Sequence, residues 1–353
     1  MEALVIRPPP HRHDYAASGM VHPSVAVLEA RVRRGPEVVR EALQTALPAG
    51  LMPWSETSLV LTGIGASGAV ARTAEALLRH ETSLRVSSLP LSEFVSRDVD
   101  LQGKTLVLLS QELSPNATLA LQRVERFQSA LLITSLDARD ERLHGFKQSG
   151  GRIFTLPPKE EPDFLVRMMG PLATVMGLLR LAWAGEGQKA PAELARVPEA
   201  MAAALEKGFD AARSWPDDVL RPPMLATGAY SGCLEVIRWT WMEAWWTEAP
   251  PMWDVLEVAH GPWQTQTKMQ GPWLGFTRPD DMAGLWPRFE SMLPAGQSLV
   301  RAEATLPAPF CFFEHAAFVQ GLLAGVLKRR DVDLKQWPGH GTDAPLYRFD
   351  GQR

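Results

Sequence analysis

The sequence predicts an α/β protein with two doubly wound parallel sheets in tandem. Short apolar stretches typical of buried strands alternate with helical segments, as expected for parallel sheets covered by helices on both faces. The same order of elements occurs twice, on either side of a segment rich in Gly, Pro and Ala at 185–200, which indicates an internal duplication. A chain of 353 residues is also too long for one typical core and suits two domains.

We expect three regions along the chain. Residues 1–50 form an N-terminal arm and helix, residues 51–188 form the first α/β domain, and residues 189–353 form the second domain with a C-terminal tail. The first helix is predicted between Val21 and Leu47, where apolar residues recur at helical spacing.

In the first domain, residues 58–68 hold a buried strand that runs into a glycine turn. Further predicted strands are 85–87, 105–110, 130–135 and 152–156. The predicted helices are 69–78, 117–129 and a long apolar helix that ends at Trp183. In the second domain we predict strands at 223–230, 273–277 and 298–304, and helices after the first of these strands, at 281–292 and at 312–327.

The composition excludes several classes of protein. A net charge of −4 and a pI near 6.1 give no basic surface for nucleic acid and no polybasic tail for a membrane. The most apolar run, 168–184, contains Pro171 and Arg180 and is better explained as a buried helix than as a membrane span. The first residues lack a signal-peptide pattern, and the two cysteines, Cys233 and Cys311, sit in apolar contexts typical of reduced packing residues. We therefore expect a cytoplasmic protein.

Tryptophan is abundant, with twelve residues, four of them crowded into 239–246. Their side chains either form a thick aromatic core or provide a wall on which a ring-shaped ligand stacks. The helical spacing of Trp241 and Trp245 favours the core.

Polar turns follow two of the predicted strands, at 63-GIGASG-68 and 110-SQELSPN-116. The carboxyl end of a strand that leads into a helix is a common anion-binding place, because free backbone N–H groups and the positive end of the helix dipole meet there. The second turn is unusual for this purpose. Glu112 brings a negative charge, and Pro115 removes an N–H donor, although Ser114 and Pro115 also make a normal helix start.

These turns, together with 257-EVAHGP-262, resemble the sugar isomerase (SIS) family. The nearest arrangement is the tandem SIS module that forms the isomerase half of glucosamine-6-phosphate synthase and its deaminase and deglycase relatives. The resemblance covers roughly residues 25 to 345 and implies two flavodoxin-like, three-layer αβα domains. It also implies a homodimer with sites shared across the interface, a sugar or sugar-like ligand and no cofactor. Since the chain begins directly with the tandem module, we expect no glutaminase domain.

The resemblance also assigns ligand-binding positions. Ser67 matches the family's strand-end serine, and Ser110 and Gln111 match the start of its phosphate turn, Ser-Gln-Ser-Gly-Glu-Thr. Glu112 replaces the second serine of that turn, Ser114 follows within it, and a proline stands at the position of the phosphate-binding threonine.

The family's general base aligns with Glu243, and its ring-opening histidine with His260 of the His-Gly-Pro motif. Glu257, three residues earlier, either orients that histidine or is merely solvated, and the alternative for His260 is a histidine hydrogen-bonded inside a loop. Neither of the family's two active-site lysines is matched by a lysine. The nearest counterparts are His340 and Thr240.

Aldose–ketose interconversion needs a base near two adjacent carbons, with a pKa raised towards neutrality by an apolar surrounding. Trp239, Met242 and Trp246 lie close to Glu243 on its predicted helix and would raise the pKa of its carboxyl group. The alternative is that Glu243 is a surface residue or an ion-pair partner. His11, His13 and Asp14 have metal-like spacing, but no other ligand joins them in the Pro-rich arm, so we expect no metal.

The charge of Glu112 indicates that the protein does not bind a phosphosugar in the family's manner, unless this side chain points away or is neutralised by Arg97 or Arg123. A neutral sugar, an amino sugar whose ammonium pairs with Glu112, or another polyol-like or heterocyclic compound would fit. Two function classes follow. The first is an isomerase, deaminase or deglycase that acts on a sugar derivative without phosphate, and the second is a ligand-binding sensor or regulator without turnover.

Overall fold

The computed structural model describes residues 21–50, 54–96, 101–159, 161, 164–266, 271–330 and 332–349. The N-terminal arm at 1–20, with His11, His13 and Asp14, lies outside these residues, as does Arg97. Within the described part of the chain, no helix is long and apolar enough to cross a membrane.

The first sheet contains five strands in the order β2-β1-β3-β4-β5, and all neighbouring strands are parallel. The strands are β1 (Ser58–Thr62), β2 (Arg85–Ser88), β3 (Lys104–Leu109), β4 (Ser129–Thr134) and β5 (Arg152–Thr155). This order is that of a flavodoxin-like doubly wound sheet, in which the chain reverses its direction of winding between β1 and β3.

The second sheet has four parallel strands in the order β7-β6-β8-β9. Its strands are β6 (Met224–Ala226), β7 (Met252–Asp254), β8 (Gly271–Thr277) and β9 (Gln297–Glu303). The order repeats that of the first four strands of the first sheet. The expected α/β fold with two doubly wound parallel sheets in tandem is therefore confirmed.

Twelve α-helices accompany these strands in the described part of the chain. They are α1 (Pro23–Gln44), α2 (Ala66–Glu81), α3 (Glu93–Ser96), α4 (Thr118–Leu121), α5 (His144–Gln148), α6 (Gly170–Gly185), α7 (Val197–Ala212), α8 (Glu235–Trp245), α9 (Pro262–Gln266), α10 (Leu285–Met292), α11 (Cys311–Leu327) and α12 (Ala344–Tyr347). Helix α1 packs against α6 of the first half and against α7 and α11 of the second. One cluster of buried apolar side chains therefore extends across both halves.

Among the differences from the sequence prediction, two have a clear physical reason. The helix predicted over 117–129 is wrong, because only the four residues of α4 are α-helical and short 3₁₀ turns flank them. Pairing with β3 already begins at Gln128, whose N–H donates to the Lys104 carbonyl, so the chain has no room for a longer helix. Strand β7 was not predicted, since its three residues follow two prolines in a segment that looks like a loop.

Candidate active site

The carboxyl ends of β1 and β3 are neighbours, because these strands pair in register from Ser58 with Lys104 to Thr62 with Leu108. The two polar turns at 63–68 and 110–116 follow these strand ends directly. They meet at the point where the sheet reverses its winding, which is the usual place for a ligand in such folds.

A cleft of about 1050 Å³ opens at this point. Five of the residues predicted to bind the ligand line it, together with the predicted base: Ser67, Ser110, Gln111, Glu112, Ser114 and Glu243. The cleft is also lined by residues that we did not predict to bind a ligand, above all Asn116, Arg142, Arg167, Trp239 and the C-terminal Asp343, Leu346, Tyr347 and Phe349. The sequence prediction therefore identified the two turns and Glu243 as parts of the cleft, but it did not identify the other lining residues.

Two glycines shape the cleft. Gly65 has a φ of +58°, a left-handed conformation that favours glycine, and it lets the turn after β1 lead into α2. Gly170 begins α6, and a Cβ at this position would lie only 1.1 Å from Nε2 of Gln111. The absence of a side chain at Gly170 therefore allows Gln111 to pack against the start of α6.

The turn after β3 differs from an anion-binding turn at the N-terminus of a long helix. Its Ser110 hydroxyl accepts a hydrogen bond from the Ser114 N–H at 3.3 Å. The predicted helix start leads only into the 3₁₀ turn Pro115–Ala117 and the four residues of α4. A helix this short aligns few peptide dipoles, so it gives little electrostatic help to an anion.

Helix α8 brings Glu243 to the first sheet. It packs against α2, and the Val236 N–H donates to Oγ1 of Thr73 on α2 at 3.1 Å. Since α2 begins beside Ser67, this contact places a side chain from the second half at the cleft of the first.

The Glu243 carboxyl group is 7% exposed, and burial raises its pKa to about 7. A hydrogen bond of 2.7 Å from the Trp239 indole N–H to Oε1, and the backbone N–H and charge of Arg167, oppose this rise only in part. The second oxygen, Oε2, has no hydrogen-bond partner among the described residues. Glu243 is thus neither a surface residue nor held in a close ion pair, and one of its oxygens lacks a hydrogen-bond partner among the described residues.

Arg167 is a second functional candidate, from the segment that leads into α6. This segment is held by the buried Glu161, whose carboxylate accepts hydrogen bonds from the backbone N–H groups of Met168, Met169 and Gly170 at 2.5, 2.7 and 2.8 Å. Arg167 Nη1 lies 3.8 Å from Oε1 of Glu112. In the sequence, the only feature that could have pointed to Arg167 is its position as the single arginine in the apolar run 164–169.

The charge of Glu112 is therefore partly balanced, although not by the arginines considered from the sequence. Arg167 faces its carboxylate, and Arg142 donates to its backbone carbonyl at 3.1 Å. Arg123 instead donates to the Phe94 carbonyl at 3.1 Å. The Glu112 side chain is 54% exposed, so solvent also screens its charge.

Three predicted site residues do not line this cleft. Glu257 and His260 are exposed and lie in the loop between β7 and α9, beyond the second sheet. His340 is exposed and stacks on the Trp337 ring with the ring centres 4.0 Å apart. Within one chain, the structure thus does not bring these three side chains together with Glu243.

Most of the tryptophan cluster lies in the core, and one of its indoles lies at the cleft. Trp241 and Trp245 are buried, and Trp241 packs on Trp215 with ring centres 5.6 Å apart. Trp239, on the same helix, lines the cleft and contacts Glu243. The core explanation is confirmed for most of the cluster, while one indole forms part of the cleft wall.

At the equivalent edge of the second sheet, polar side chains bond to one another. Asp281 is 5% exposed and accepts hydrogen bonds from the Thr227 hydroxyl, from the Arg278 backbone at 2.9 Å and from the Trp286 indole at 2.7 Å. Its oxygens are therefore satisfied internally. Among the described residues, no group of three or more His, Cys, Asp and Glu side chains is arranged to hold a metal ion.

Solved structures with the same architecture belong to the SIS fold. The C-terminal domain of glucosamine-fructose-6-phosphate aminotransferase from Francisella tularensis superimposes with a TM-score of 0.66 at 15% identity, over 87% of this chain and 97% of that one. Tagatose-6-phosphate ketose/aldose isomerase from Escherichia coli gives 0.64 at 15% identity, over 87% and 94%. Glucosamine-6-phosphate deaminase from Thermotoga maritima gives 0.61 at 16% identity, over 86% and 91%.

These likenesses confirm the tandem SIS fold that the motifs predict. At such low identities they establish the fold alone. No protein-family profile and no curated protein sequence matches the chain.

Proposed function

We propose that the protein is a SIS-type isomerase, deaminase or deglycase that acts on a sugar derivative without the usual phosphate. The observation that carries the proposal is Glu243, a buried carboxyl group with a pKa near 7 and a free oxygen, in the cleft at the reversal point of the first sheet. Two of the similar solved structures are a ketose/aldose isomerase and a deaminase, and their activities support this class of reaction.

The reaction in this proposal passes through an enediol. Ionised Glu243 removes a proton from the carbon next to the carbonyl and returns it to the neighbouring carbon. A pKa near neutrality suits both steps, because the group must be ionised to accept the proton and must then hold it long enough to return it. The indole N–H of Trp239 holds Oε1, which leaves Oε2 as the oxygen that faces the substrate.

The remaining candidates have binding roles in this proposal. Ser67, Ser110, Gln111 and Ser114 contact hydroxyl or carbonyl oxygens of the substrate, and Glu112 discriminates against anions. The experiment that tests the proposal is NMR observation of unphosphorylated aldoses, ketoses and amino sugars with the protein. Appearance of the isomeric sugar, or release of ammonia, supports it.

A second candidate function is binding without turnover, as in a sensor. The observation that favours it is the loss of both family lysines, at Thr240 and His340. A sugar that binds in the cleft but is never converted would select this alternative.

Phosphosugars are expected to be poor ligands. Glu112 repels a phosphate at the turn after β3, Pro115 offers no N–H, and the short α4 gives little help. Millimolar glucosamine 6-phosphate or fructose 6-phosphate should leave the thermal unfolding midpoint nearly unchanged, whereas a ligand at 100 times its Kd stabilises by about 2.7 kcal/mol. Glu112→Ser should improve phosphosugar binding. Strong stabilisation of the unmodified protein by either phosphosugar would contradict this role of Glu112.

We further propose a cytoplasmic homodimer in which His260, with Glu257 beside it, acts in the cleft of the partner subunit. Three observations support this arrangement: both residues are exposed, neither lines the cleft of its own chain, and the neighbouring Leu256 is 62% exposed. His340 is the corresponding candidate from the C-terminal segment. In this scheme Glu243 moves the proton and His260 assists ring opening.

Complementation tests the shared site. Glu243→Gln and His260→Ala are each expected to be inactive as pure dimers. After unfolding and refolding of an equimolar mixture, half of the dimers are hybrids with one intact site, so about a quarter of the wild-type activity should return. Light scattering should report a dimer at micromolar concentration. A monomer, or a mixture that stays inactive although hybrids form, would rule out the shared site.

A further inference from the structure

Four buried side-chain atoms, all from residues that line the cleft, have no hydrogen-bond partner among the described residues. They are Ser114 Oγ, Asn116 Oδ1, Arg167 Nη1 and Glu243 Oε2. Asn116 and Glu243 are each 7% exposed. Buried polar atoms are normally paired, because an unpaired one loses its hydration without compensation. Four such atoms in one cleft indicate groups that a bound molecule satisfies.

Asn116 has a fixed orientation. Its Nδ2 donates to the backbone carbonyl of Leu346 at 2.6 Å, and since a carbonyl only accepts, the amide nitrogen must be on that side. Oδ1 is therefore a pure acceptor held on the other side of the amide group. This residue is the single asparagine of the chain.

The groups around Asn116 do not suit a phosphate. The turn offers two acceptors, Asn116 Oδ1 and the Glu112 carboxylate, and an ionised phosphate has no proton to give them. An ammonium group could donate to both acceptors, but the guanidinium of Arg167 lies only 3.8 Å from Glu112 and would repel it.

A hydroxyl group suits both the two acceptors and the neighbouring arginine, because it donates one hydrogen bond and accepts others. The 3.8 Å separation between Arg167 Nη1 and Glu112 Oε1 is longer than a hydrogen bond, so a hydroxyl oxygen can accept from the arginine and donate to a neighbouring acceptor. Ser114 Oγ can serve a second hydroxyl in either role.

We propose that the turn at 110–116 binds the terminal hydroxyl end of an unphosphorylated sugar or polyol, with Asn116 Oδ1 as the acceptor that selects a hydroxyl over a phosphate. This inference rests on the proposed function for the location of the site, and it narrows the ligand to a neutral polyol. Asn116 is the specificity-determining residue, and Arg167 is its complementary donor.

The single asparagine gives a direct probe. Protein labelled with [γ-¹⁵N]asparagine has only one labelled side-chain amide, which reports binding at Asn116 itself. We titrate it with D-glucose, D-fructose, D-mannose and D-galactose, and with the 6-deoxy and 6-phosphate forms of each. At least one parent sugar is expected to shift the amide resonances, and its 6-deoxy and 6-phosphate forms are expected to bind about tenfold more weakly or worse, the usual effect of leaving such a buried group unpaired.

Asn116→Ser replaces the acceptor amide by a hydroxyl that can donate to phosphate. Its preference for the parent sugar over the 6-phosphate, measured by calorimetry, should fall by about tenfold, the size of one hydrogen-bond contribution. Gln148→Ser, an exposed amide on α5, should keep the wild-type preference. If Asn116→Ser does not fold, the labelled wild-type titration decides alone.

Three results would overturn the inference: no parent sugar shifts the amide, a deoxy or phosphorylated form binds as tightly as its parent, or folded Asn116→Ser keeps the preference. The titration needs no turnover. A protein that binds selectively but converts nothing therefore contradicts the proposed catalysis and leaves this inference intact. An active isomerase that prefers phosphosugars would contradict this inference and leave the proposed catalysis by Glu243 intact.

Discussion

Glu243→Gln is expected to lower kcat by about a hundredfold or more, the usual size of a general-base contribution, while sugar binding changes little. Glutamine keeps the shape of the side chain and can still accept from the Trp239 indole, but it cannot take up a proton. The measurement is steady-state turnover together with calorimetric binding of the same sugar.

The matched control is Glu248→Gln. This carboxylate follows the same helix, but it is 78% exposed and pairs with Arg221 at 2.7 Å on the surface. Its replacement should leave turnover unchanged. Full activity in Glu243→Gln would exclude this residue as the base.

The second large effect is a pH-dependent change in stability that needs no substrate. The pKa of Glu243 is raised to about 7 in the folded protein from 4.5 in the unfolded chain. Between these two values the folded state keeps a proton that the unfolded state has lost. The free energy of unfolding therefore falls as the pH rises from about 4.5 to about 7, by roughly 3 kcal/mol in total, and does not change further through this group above pH 7.

Glu243→Gln removes this dependence. Its stability relative to wild type should rise by about 3 kcal/mol between pH 4.5 and pH 8, in urea unfolding curves measured at both values. Glu248→Gln should give no such trend. A pH-independent difference between wild type and Glu243→Gln would mean that the carboxyl group is not held neutral by burial.

The fold was predictable because its signals are local. The runs at 58–62 and 105–109 are apolar and end in glycine or polar turns, and these turns lie together because both strands are parallel and adjacent. Glu243 was proposed as the base because its helix carries indoles and matches the order of the family's motifs, and the structure places this residue in the cleft. The helix at 117–129 was predicted wrongly because the distance to the next strand, rather than propensity, limits its length.

The rest of the cleft depends on contacts that no local pattern reveals. Asn116 is fixed by the carbonyl of Leu346, 230 residues further along the chain. Arg167 is positioned by a segment whose N–H groups are held by Glu161. Such long-range partners leave a local sequence pattern unchanged, so the prediction named arginines at other positions as the counter-charges of Glu112.

Hydrogen exchange at the substrate carbon tests the central claim most directly. The sugar that shifts the Asn116 amide is incubated in deuterated water with wild type and with Glu243→Gln, and the C–H signals next to the carbonyl are followed by NMR. The account predicts that wild type replaces this hydrogen by deuterium and that Glu243→Gln does not, although both bind the sugar. Exchange that persists undiminished in Glu243→Gln, or a bound sugar that wild type never exchanges, would contradict it.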